Sequence, residues 1–230
     1  MIDKSEIPCV AGSTGLVGSF LVKNLSKLYP KVISISRRKF DFQYDNVENI
    51  VVDFDKIEEE SFLKNIDHLY IALGTTIKKA GSKEKFELVD YHYCYNLAIA
   101  AKKKGVKRIS LVSSVGSNPQ SKLLYPRVKG MIERDLTALS FKHLSIAKPG
   151  IILGKRNESR AGEKIGKIIF FLIDKILFGP LRKYKSISAN DISKAMIFQV
   201  VNSKNELNVL HYNELEFSSN CFSNQLNYHN

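Results

Sequence analysis

The chain has 230 residues, of which 44% are hydrophobic and 25% charged, enough for one sizeable domain with a buried core. Six prolines and thirteen glycines exclude a collagen-like or a low-complexity disordered protein. The formal net charge of +12 suits nucleic acid, anionic lipid or a phosphorylated ligand, but the basic residues form only short clusters. We therefore expect most of this charge to lie on a solvated surface, and we do not favour nucleic-acid binding.

The cysteines and histidines bear on the compartment and on metal binding. Cys9, Cys94 and Cys221 are far apart and form no CxxC pair, which favours a reducing compartment and argues against disulfides and a zinc site. The five histidines lack metal-ligand spacing, so we expect no metal. The first ten residues contain no long apolar run, and we expect a cytoplasmic protein without a secretory signal.

Short apolar runs alternate with helical stretches along the chain. In chain order, the pattern predicts strands at 7–11, 31–36, 48–54, 68–74, 107–114 and 143–153. It predicts helices over about 16–28, over about 85–104 and after Pro126. Six strands separated by helices indicate an α/β fold with a doubly wound parallel sheet of the Rossmann type.

The organisation of the chain follows from this pattern. We predict a Rossmann core over 1–150, a small C-terminal segment over 151–215 on the substrate side of the same domain, and a flexible tail over 216–230. The apolar stretch IGKIIFFLIDKILFG, 165–179, is too short and too charged to cross a bilayer. We favour a helix over the substrate cleft or against a partner subunit, and an interfacial membrane helix is the alternative.

Three glycines follow the first predicted strand in VAGSTGLVG. Gly12 permits a tight turn, Gly15 lets backbone N–H groups approach a pyrophosphate, and Gly18 lets the helix pack closely on the strand. A glycine triplet alone is weak evidence. Its position between a strand and a helix favours dinucleotide binding over a merely structural turn.

The end of the second strand bears on the choice of dinucleotide. An acidic residue there would bind the ribose hydroxyls of NAD, but the sequence has Arg37 and Arg38. Two guanidinium groups suit a 2′-phosphate, because arginine binds phosphate bidentately and stays ionised. We therefore predict NADP(H) in preference to NAD(H); the alternative is that one arginine simply lies on the surface.

Several short motifs occur in order along the chain. They include GxxGxxG at 12–18, LVSS at 111–114, YxxxK at 125–129 and KPG at 148–150. With these motifs the chain resembles the short-chain dehydrogenase/reductase superfamily. It is most similar to the atypical branch typified by Tat-interacting oxidoreductase-like proteins, through SRRKF (36–40), VVDF (51–54), LGTT and KAG (73–81), LYPRVKG (124–130) and ESRAGE (158–163).

The resemblance implies a Rossmann fold that binds NADPH, and it suggests a role for each matching residue. Pyrophosphate binding is implied for Gly12, Ser13, Thr14, Gly15, Leu16 and Val17. The 2′-phosphate would contact Arg37 and Arg38, the adenine Asp53 and Phe54, and the adenosine ribose Leu73 and Gly74. The nicotinamide end would lie near Tyr125, Lys129, Pro149 and Gly150.

A proton donor for carbonyl reduction is suggested by the pair Tyr125 and Lys129. A free tyrosine, with a pKa of about 10, exchanges its proton poorly at neutral pH, and a nearby ammonium lowers that pKa. Lysine four residues on lies on the same helical face. Pro126 suits the first helical position, so we expect Tyr125 at the helix cap.

A serine at the end of the fifth strand completes the predicted catalytic set. Ser114 would hydrogen-bond the substrate oxygen, with Ser113 as the fallback because neighbouring strand residues face opposite sides. We predict an NADPH-dependent oxidoreductase acting on a small carbonyl or alcohol substrate, with a protein partner or homodimer as a further expectation. The rival is an NADPH-binding regulatory protein with little or no catalysis.

Overall fold

The computed structural model describes residues 2–154 and 177–227. Its strands are Pro8–Ala11 (β1), Val32–Ser36 (β2), Val47–Val51 (β3), His68–Ile71 (β4), Arg108–Val112 (β5), His143–Ala147 (β6), Ile152–Leu153 (β7), Ile187–Ser188 (β8) and Leu207–Leu210 (β9). Seven of them form one sheet of order β3-β2-β1-β4-β5-β6-β9, and every neighbouring pair is parallel. The predicted doubly wound parallel α/β sheet is therefore confirmed.

Helices cover both faces of this sheet. The α-helices are Leu16–Leu25 (α1), Ile77–Ala80 (α2), Lys83–Glu87 (α3), Tyr93–Lys103 (α4), Leu124–Ala138 (α5), Ala189–Asn202 (α6) and Tyr212–Asn227 (α7). Short 3-10 helices occupy Phe54–Glu59, Ser61–Asn65 and Gly179–Tyr184, and a π-helical turn spans Leu88–His92. One apolar core lies between the sheet and α4 and α5, and a second lies between the sheet and α1, α6 and α7.

The strands read as apolar runs because both of their faces are buried. All four residues of β1 and of β4, and all five of β6, are shielded from solvent. Such two-sided burial is typical of a parallel sheet covered by helices on both sides. Because the strands are parallel, the carboxyl ends of β1, β4, β5 and β6 lie at the same end of the sheet, where ligands of such folds bind.

Two predictions about the strands were wrong. The run over 143–153 is not one strand, because β6 ends at Ala147 and 152–153 pairs with β8 in a separate two-stranded sheet. The last strand of the seven-stranded sheet, β9, was missed by the prediction. It lies at the sheet edge with only Leu210 fully buried, so its sequence lacks the apolar run of a central strand.

The prediction of a flexible tail over 216–230 was also wrong as far as residue 227, where α7 ends. Leu215 and Phe222 of this helix are buried in the second core. Ser218 accepts a hydrogen bond from Gln199 at 2.8 Å, and Ser219 donates to Asp191 at 3.0 Å. Small polar side chains thus let α7 pack closely on α6. With β9 and α6, the sheet and its covering layer extend beyond the core predicted to end at residue 150.

The apolar segment predicted as a helix over 165–179 lies, up to residue 176, outside the described residues. The ESRAGE stretch at 158–163 lies outside them as well. Among helices of the described ranges, none combines the length and the hydropathy that a bilayer span requires.

Candidate active site

The turn after β1 brings backbone against backbone. Gly12 has a φ of +81°, and a Cβ there would lie 2.5 Å from the carbonyl carbon of Ala72, just after β4. A Cβ on Gly18 would overlap the carbonyl group of Gly12. Strand, turn and helix can approach this closely only with glycine at both positions, as predicted for a dinucleotide turn.

The start of α1 is open to an anion. Gly15 is the N-cap residue and has no side chain with which to bond the first turn. The N–H groups of that turn, which includes Leu16 and Val17, have no acceptor within the helix, and the helix dipole adds partial positive charge. Ser13 is buried beneath the turn and accepts a 2.7 Å hydrogen bond from Ser34 of β2.

A cleft of about 580 Å³ lies over this turn. Its volume is within the usual range for cofactor sites. Of the predicted cofactor residues, the cleft is lined by Gly12, Thr14, Gly15, Arg37, Phe54, Leu73 and Gly74. The glycine turn, the end of β2 and the end of β4 thus border one space, as a dinucleotide requires.

The two arginines after β2 are placed differently. Arg37 lines the cleft, whereas Arg38 is not among the lining residues. The carbonyl oxygen of Arg38 accepts a hydrogen bond from Ser36 at 2.6 Å. Neither guanidinium forms an ion pair with a carboxylate in the described part of the chain, so Arg37 presents an uncompensated positive charge to the cleft.

At the predicted adenine side of the cleft lie an aromatic residue, Phe54, and an acidic residue, Asp53, that caps a 3-10 helix. Phe54 is buried, and its ring stacks on that of Tyr93 with centroids 5.3 Å apart. Asp53 is exposed and accepts a 3.0 Å hydrogen bond from the backbone N–H of Asp55, which starts the first 3-10 helix. Phe54 therefore shapes the cleft, while the Asp53 carboxylate is already engaged.

Helix α5 carries both Tyr125 and Lys129, and it begins at Leu124. The prediction that Tyr125 sits at the cap was wrong, because the helix starts at Leu124 and Pro126 occupies its third position instead of the expected first. A proline fits there since first-turn N–H groups have no helical acceptor; the first such bond runs from Arg127 N to Leu123 O at 3.1 Å. Tyr125 and Lys129 are therefore one full helical turn apart on the same face.

The surroundings of these two side chains differ sharply. Tyr125 is 42% exposed, and its ring packs on the buried Phe86 with centroids 5.8 Å apart. Lys129 is buried, and its Nζ lies 2.8 Å from Oδ1 of Asp90, whose side chain is 1% exposed. The other oxygen of Asp90 accepts a 2.8 Å hydrogen bond from the N–H of Thr75.

The ion pair of Lys129 with Asp90 adjoins the cofactor cleft. A Cβ on Gly74, which lines the cleft, would lie 3.4 Å from Oδ1 of Asp90 and 3.7 Å from Nζ of Lys129. Burial disfavours the charged lysine, but the Asp90 carboxylate and, more weakly, Tyr125 outweigh it and raise the pKa of Lys129. The lysine is thus a fixed cation at the wall of the cleft.

The two serines after β5 face different surroundings. Ser113 is buried and donates a hydrogen bond to Glu133 of α5, which also accepts from Ser117 at 2.5 Å and from Lys148 at 2.8 Å. The Ser114 hydroxyl donates only to the adjacent carbonyl of Val115, at 3.0 Å. Ser113 is therefore committed to a structural network, whereas Ser114 can exchange its weak local bond for a substrate.

Pro149 and Gly150 follow β6 at the same edge of the sheet. The carbonyl of Pro149 accepts a 2.9 Å hydrogen bond from Val115, which ties it to the serine loop. A Cβ on Gly150 would lie 2.6 Å from the carbonyl oxygen of Tyr184. Neither residue lines the cleft described above, and their contact with a carboxamide stays a prediction.

Comparison with known proteins agrees with this geometry. Residues 12–143 match a protein-family model described as NAD(P)H-binding. The chain belongs to this family. It is 38% identical to Protein HTATIP2 of Rattus norvegicus over 167 residues, covering 70% of this chain and 69% of the relative. It is 36% identical to Protein FMP52, mitochondrial, of Lodderomyces elongisporus over 206 residues, covering 82% of this chain and 84% of that one.

A solved structure resembles the fold at low identity. MoeE5, in complex with UDP-glucuronic acid and NAD, aligns with a TM-score of 0.68 and 16% identity, covering 89% of this chain and 75% of MoeE5. The predicted resemblance to the short-chain branch with Tat-interacting relatives is confirmed. The cleft, the open helix terminus and the glycine turn fit an NAD(P) dinucleotide.

The prediction of a cytoplasmic protein is wrong. FMP52 relatives from several fungi carry the word mitochondrial in their names. Cysteines without disulfide spacing argue only against an oxidising compartment, and they do not distinguish the cytoplasm from other reducing compartments.

Sequence reasoning missed two carboxylates at the site. Asp90 and Glu133 were not among the predicted site residues. For Asp90 the signal was an acidic residue whose neighbours on the helical face, Phe86 at i−4 and Cys94 at i+4, are apolar. Glu133, whose neighbours at the same spacing are polar, carried no such signal. A carboxylate at such a position is buried and needs a cationic partner.

Proposed function

We propose that the chain is an NADPH-dependent oxidoreductase that interconverts a small carbonyl compound and its alcohol. The observation that carries this is Lys129, a buried ammonium held against Gly74 at the wall of the dinucleotide cleft, one helical turn from Tyr125. Such a cation beside a half-exposed phenol is the arrangement that proton transfer at the nicotinamide end of the cleft requires.

Each side chain has a distinct role in this proposal. Tyr125 donates its proton to the substrate oxygen during reduction, and the Lys129 ammonium stabilises the phenolate left behind. Ser114 donates a hydrogen bond to the same oxygen. Bound NADPH would supply the hydride.

The preference for NADPH over NADH is supported by Arg37, whose charge lines the cleft at the end of β2. A 2′-phosphate beside this guanidinium would make charge-assisted hydrogen bonds that NADH cannot make. Arg38, with its side chain outside the cleft lining, is expected to contribute less.

The ion pair with Asp90 favours a second candidate function. A carboxylate 2.8 Å from Lys129 neutralises much of the charge that would otherwise favour the Tyr125 phenolate. A chain of this kind can bind NADPH without efficient turnover and act as a regulatory protein whose partner binding follows cofactor occupancy.

The names of the fungal relatives bear on the location of the protein in the cell. Fungal relatives named FMP52 are called mitochondrial, and this supports a mitochondrial location for the chain. Fractionation of cells that express the full chain tests this; recovery outside the mitochondria would refute it.

Substitution of Tyr125 distinguishes the two functions. Purified protein is screened for NADPH oxidation with a panel of aldehydes and ketones, and the NADPH affinity is measured by fluorescence titration. In Tyr125→Phe we expect turnover to fall at least about a hundredfold while NADPH affinity is unchanged. Tyr44→Phe, which removes a hydroxyl outside the cleft lining, is the matched control and should be neutral.

Two outcomes speak against the oxidoreductase. Turnover that survives in Tyr125→Phe removes this residue from the chemistry. No turnover with any carbonyl compound, together with a protein partner whose binding requires NADPH, supports the regulatory function instead.

A further inference from the structure

A second cleft lies at the amino ends of the strands, the opposite end of the sheet from the dinucleotide site. It has a volume of about 620 Å³ and is lined by Arg108 and His143, the first residues of β5 and β6, and by Asp67, which precedes β4. The dinucleotide cleft lies at the carboxyl ends of the strands, so the two clefts are separated by the length of the sheet. This second cleft has no part in the function proposed above.

The lining of this cleft is strongly cationic. Besides Arg108 it contains five lysines, Lys64, Lys104, Lys107, Lys142 and Lys204. None of the five forms an ion pair with a carboxylate in the ranges that the structure describes. They come from four separate segments of the chain, so the fold gathers positive charge here at an electrostatic cost that an anionic ligand would relieve.

The two carboxylates of the lining are already occupied. Glu6 forms ion pairs or hydrogen bonds with Arg108 and with His68, the latter at 2.8 Å. Asp67 accepts a 2.8 Å hydrogen bond from the backbone N–H of Ile7. These acidic groups tie the N-terminal segment to the strands, and their two negative charges against Arg108 and the five lysines leave the lining with a net charge of +4 (six minus two).

A buried imidazole provides an independent indication of a ligand. His143 is 3% exposed, and its Nδ1 lies 2.7 Å from the carbonyl oxygen of Asn205. Because a carbonyl can only accept, Nδ1 carries the proton and donates, and Nε2 bears a lone pair. Within residues 2–154 and 177–227 that buried Nε2 has no hydrogen-bond partner, a cost that a ligand bonded to it would relieve.

We propose that this cleft binds a small polyphosphate anion, such as a nucleoside di- or triphosphate or an inorganic polyphosphate. The lysines would contact the phosphate oxygens, and Nε2 of His143 would bond a phosphate oxygen after taking up a proton. A small ligand suits the site because the cations surround a recess. An extended polyanion would need them along a stripe.

Proton uptake is a specific consequence of this arrangement. Burial and the neighbouring Arg108 lower the pKa of His143, against a smaller opposing effect of the bond to Asn205, so the free protein holds a neutral ring. His68 on β4 is neutral, and Asp67 lines the same cleft. The cations that oppose a proton on the ring are Arg108 on β5 and, in the cleft, Lys107 and Lys142. The negative charge of a bound phosphate outweighs this repulsion and favours protonation of the His143 ring. Because the ligand then binds the protonated ring better than the neutral one, we expect its affinity to rise as the pH falls towards about 6.

The experiment is calorimetric titration of inorganic tripolyphosphate into the full chain saturated with NADPH, which keeps the probe out of the dinucleotide site. We expect one site per chain and a net uptake of protons, measured from the heats in two buffers of different ionisation enthalpy. The double variant Lys107→Gln/Lys142→Gln should bind about tenfold more weakly or worse.

Two further variants make the result specific. Lys23→Gln/Lys27→Gln removes the same charge from exposed residues outside the cleft, and its affinity should equal that of the unmodified chain. His143→Asn keeps a donor for Asn205 and removes Nε2, so proton uptake should disappear. Thermal unfolding of each variant confirms that it is folded.

The proposal is overturned by an absence of heat at millimolar tripolyphosphate, or by equal weakening in both lysine pairs, which would indicate non-specific charge attraction. Unchanged proton uptake in His143→Asn would remove this residue from the site. An affinity for single-stranded RNA that exceeds that for tripolyphosphate and grows with RNA length would assign the surface to nucleic acid instead.

Discussion

Nζ of Lys129 on helix α5 lies 2.8 Å from Oδ1 of Asp90 on the π-helical turn before α4. Two helices that cover the same face of the sheet are joined here by a buried ion pair at the wall of the cofactor cleft. Because Asp90 also accepts from the N–H of Thr75, the pair connects α5 to the loop after β4. The position of the lysine, and the strength of its charge towards Tyr125, both depend on Asp90.

Loss of the Asp90 charge should be costly for folding. In Asp90→Asn the amide oxygen can still accept from Thr75, but the buried ammonium of Lys129 loses its partner. We expect the free energy of unfolding, measured with urea, to fall by about 3–5 kcal/mol. Glu58→Gln, which breaks the exposed pair with Lys103, should cost no more than about 1 kcal/mol.

The pH dependence of this effect has a definite sign. The pKa of Lys129 is raised, so the stabilisation is fully present below the unfolded lysine pKa, about 10.4, and is lost only as the pH rises through the folded pKa. In Asp90→Asn burial is no longer opposed and lowers the Lys129 pKa below its unfolded value, so the variant's loss of stability should be largest at low pH and should shrink as the pH rises towards about 10.4. Equal stabilities of the two proteins would show that the pair adds nothing to folding.

Arg37 and Arg38 should affect cofactor choice unequally. Because Arg37 lines the cleft and Arg38 does not, Arg37→Ala should weaken NADPH binding about tenfold to a hundredfold and leave NADH binding nearly unchanged. Arg38→Ala should have a smaller effect. Fluorescence titrations with both cofactors measure this, and a larger effect of Arg38→Ala would place the phosphate elsewhere.

A methyl group on Gly12 should disrupt the glycine turn after β1. Gly12 and Gly81 both have positive φ, +81° and +86°, but only at Gly12 would a Cβ meet the backbone of Ala72 at 2.5 Å. Gly81→Ala, with nothing within 4 Å, isolates the cost of the backbone conformation, about 1–2 kcal/mol. We expect Gly12→Ala to lose about 1–3 kcal/mol more in urea unfolding. Equal losses would contradict the close approach.

The two serines after β5 should separate stability from turnover. Ser113→Ala removes a buried donor to Glu133 and should reduce the free energy of unfolding by about 1–3 kcal/mol. Ser114→Ala should leave stability within about 0.5 kcal/mol and lower kcat about a hundredfold. If Ser113→Ala alone reduces kcat in folded protein, the roles of the serines are reversed.

Acid should destabilise the protein partly through His68. Burial, reinforced by Arg108, lowers the pKa of this histidine to about 3, so the folded state keeps it neutral while the unfolded state takes up a proton below about pH 6.5. Stability should therefore fall as the pH drops from about 6.5 towards 3. His68→Gln keeps a donor for Glu6 without titrating, and its unfolding free energy should decline less steeply over this range. Parallel curves would assign the decline to other groups.

Much of the sheet was predictable because its information is local. The central strands are short apolar runs, and glycines three residues apart between a strand and a helix fit one kind of turn. Tyr125 and Lys129 share a face simply because they are four residues apart on a helix. The motifs alone therefore led to the dinucleotide fold and to the pair that we propose as catalytic.

The elements that escaped prediction depend on packing. Strand β9 is half-exposed at the edge, and α7 is rich in serine and asparagine, so neither carries the hydrophobic pattern of a core element. Their stability comes from pairing with β6 and from packing on α6. Such contacts join segments that are distant in the sequence.

The chain's local patterns suffice for the fold class, the glycine turn and the helical spacing of Tyr125 and Lys129, because backbone geometry sets these over a few residues. The tertiary structure adds the partners: Asp90 against Lys129, Glu133 against Ser113, and five lysines around His143 at the far edge of the sheet. No spacing rule predicts these pairings, since the energy of a buried charge depends on which groups the whole fold brings within a few ångströms of it.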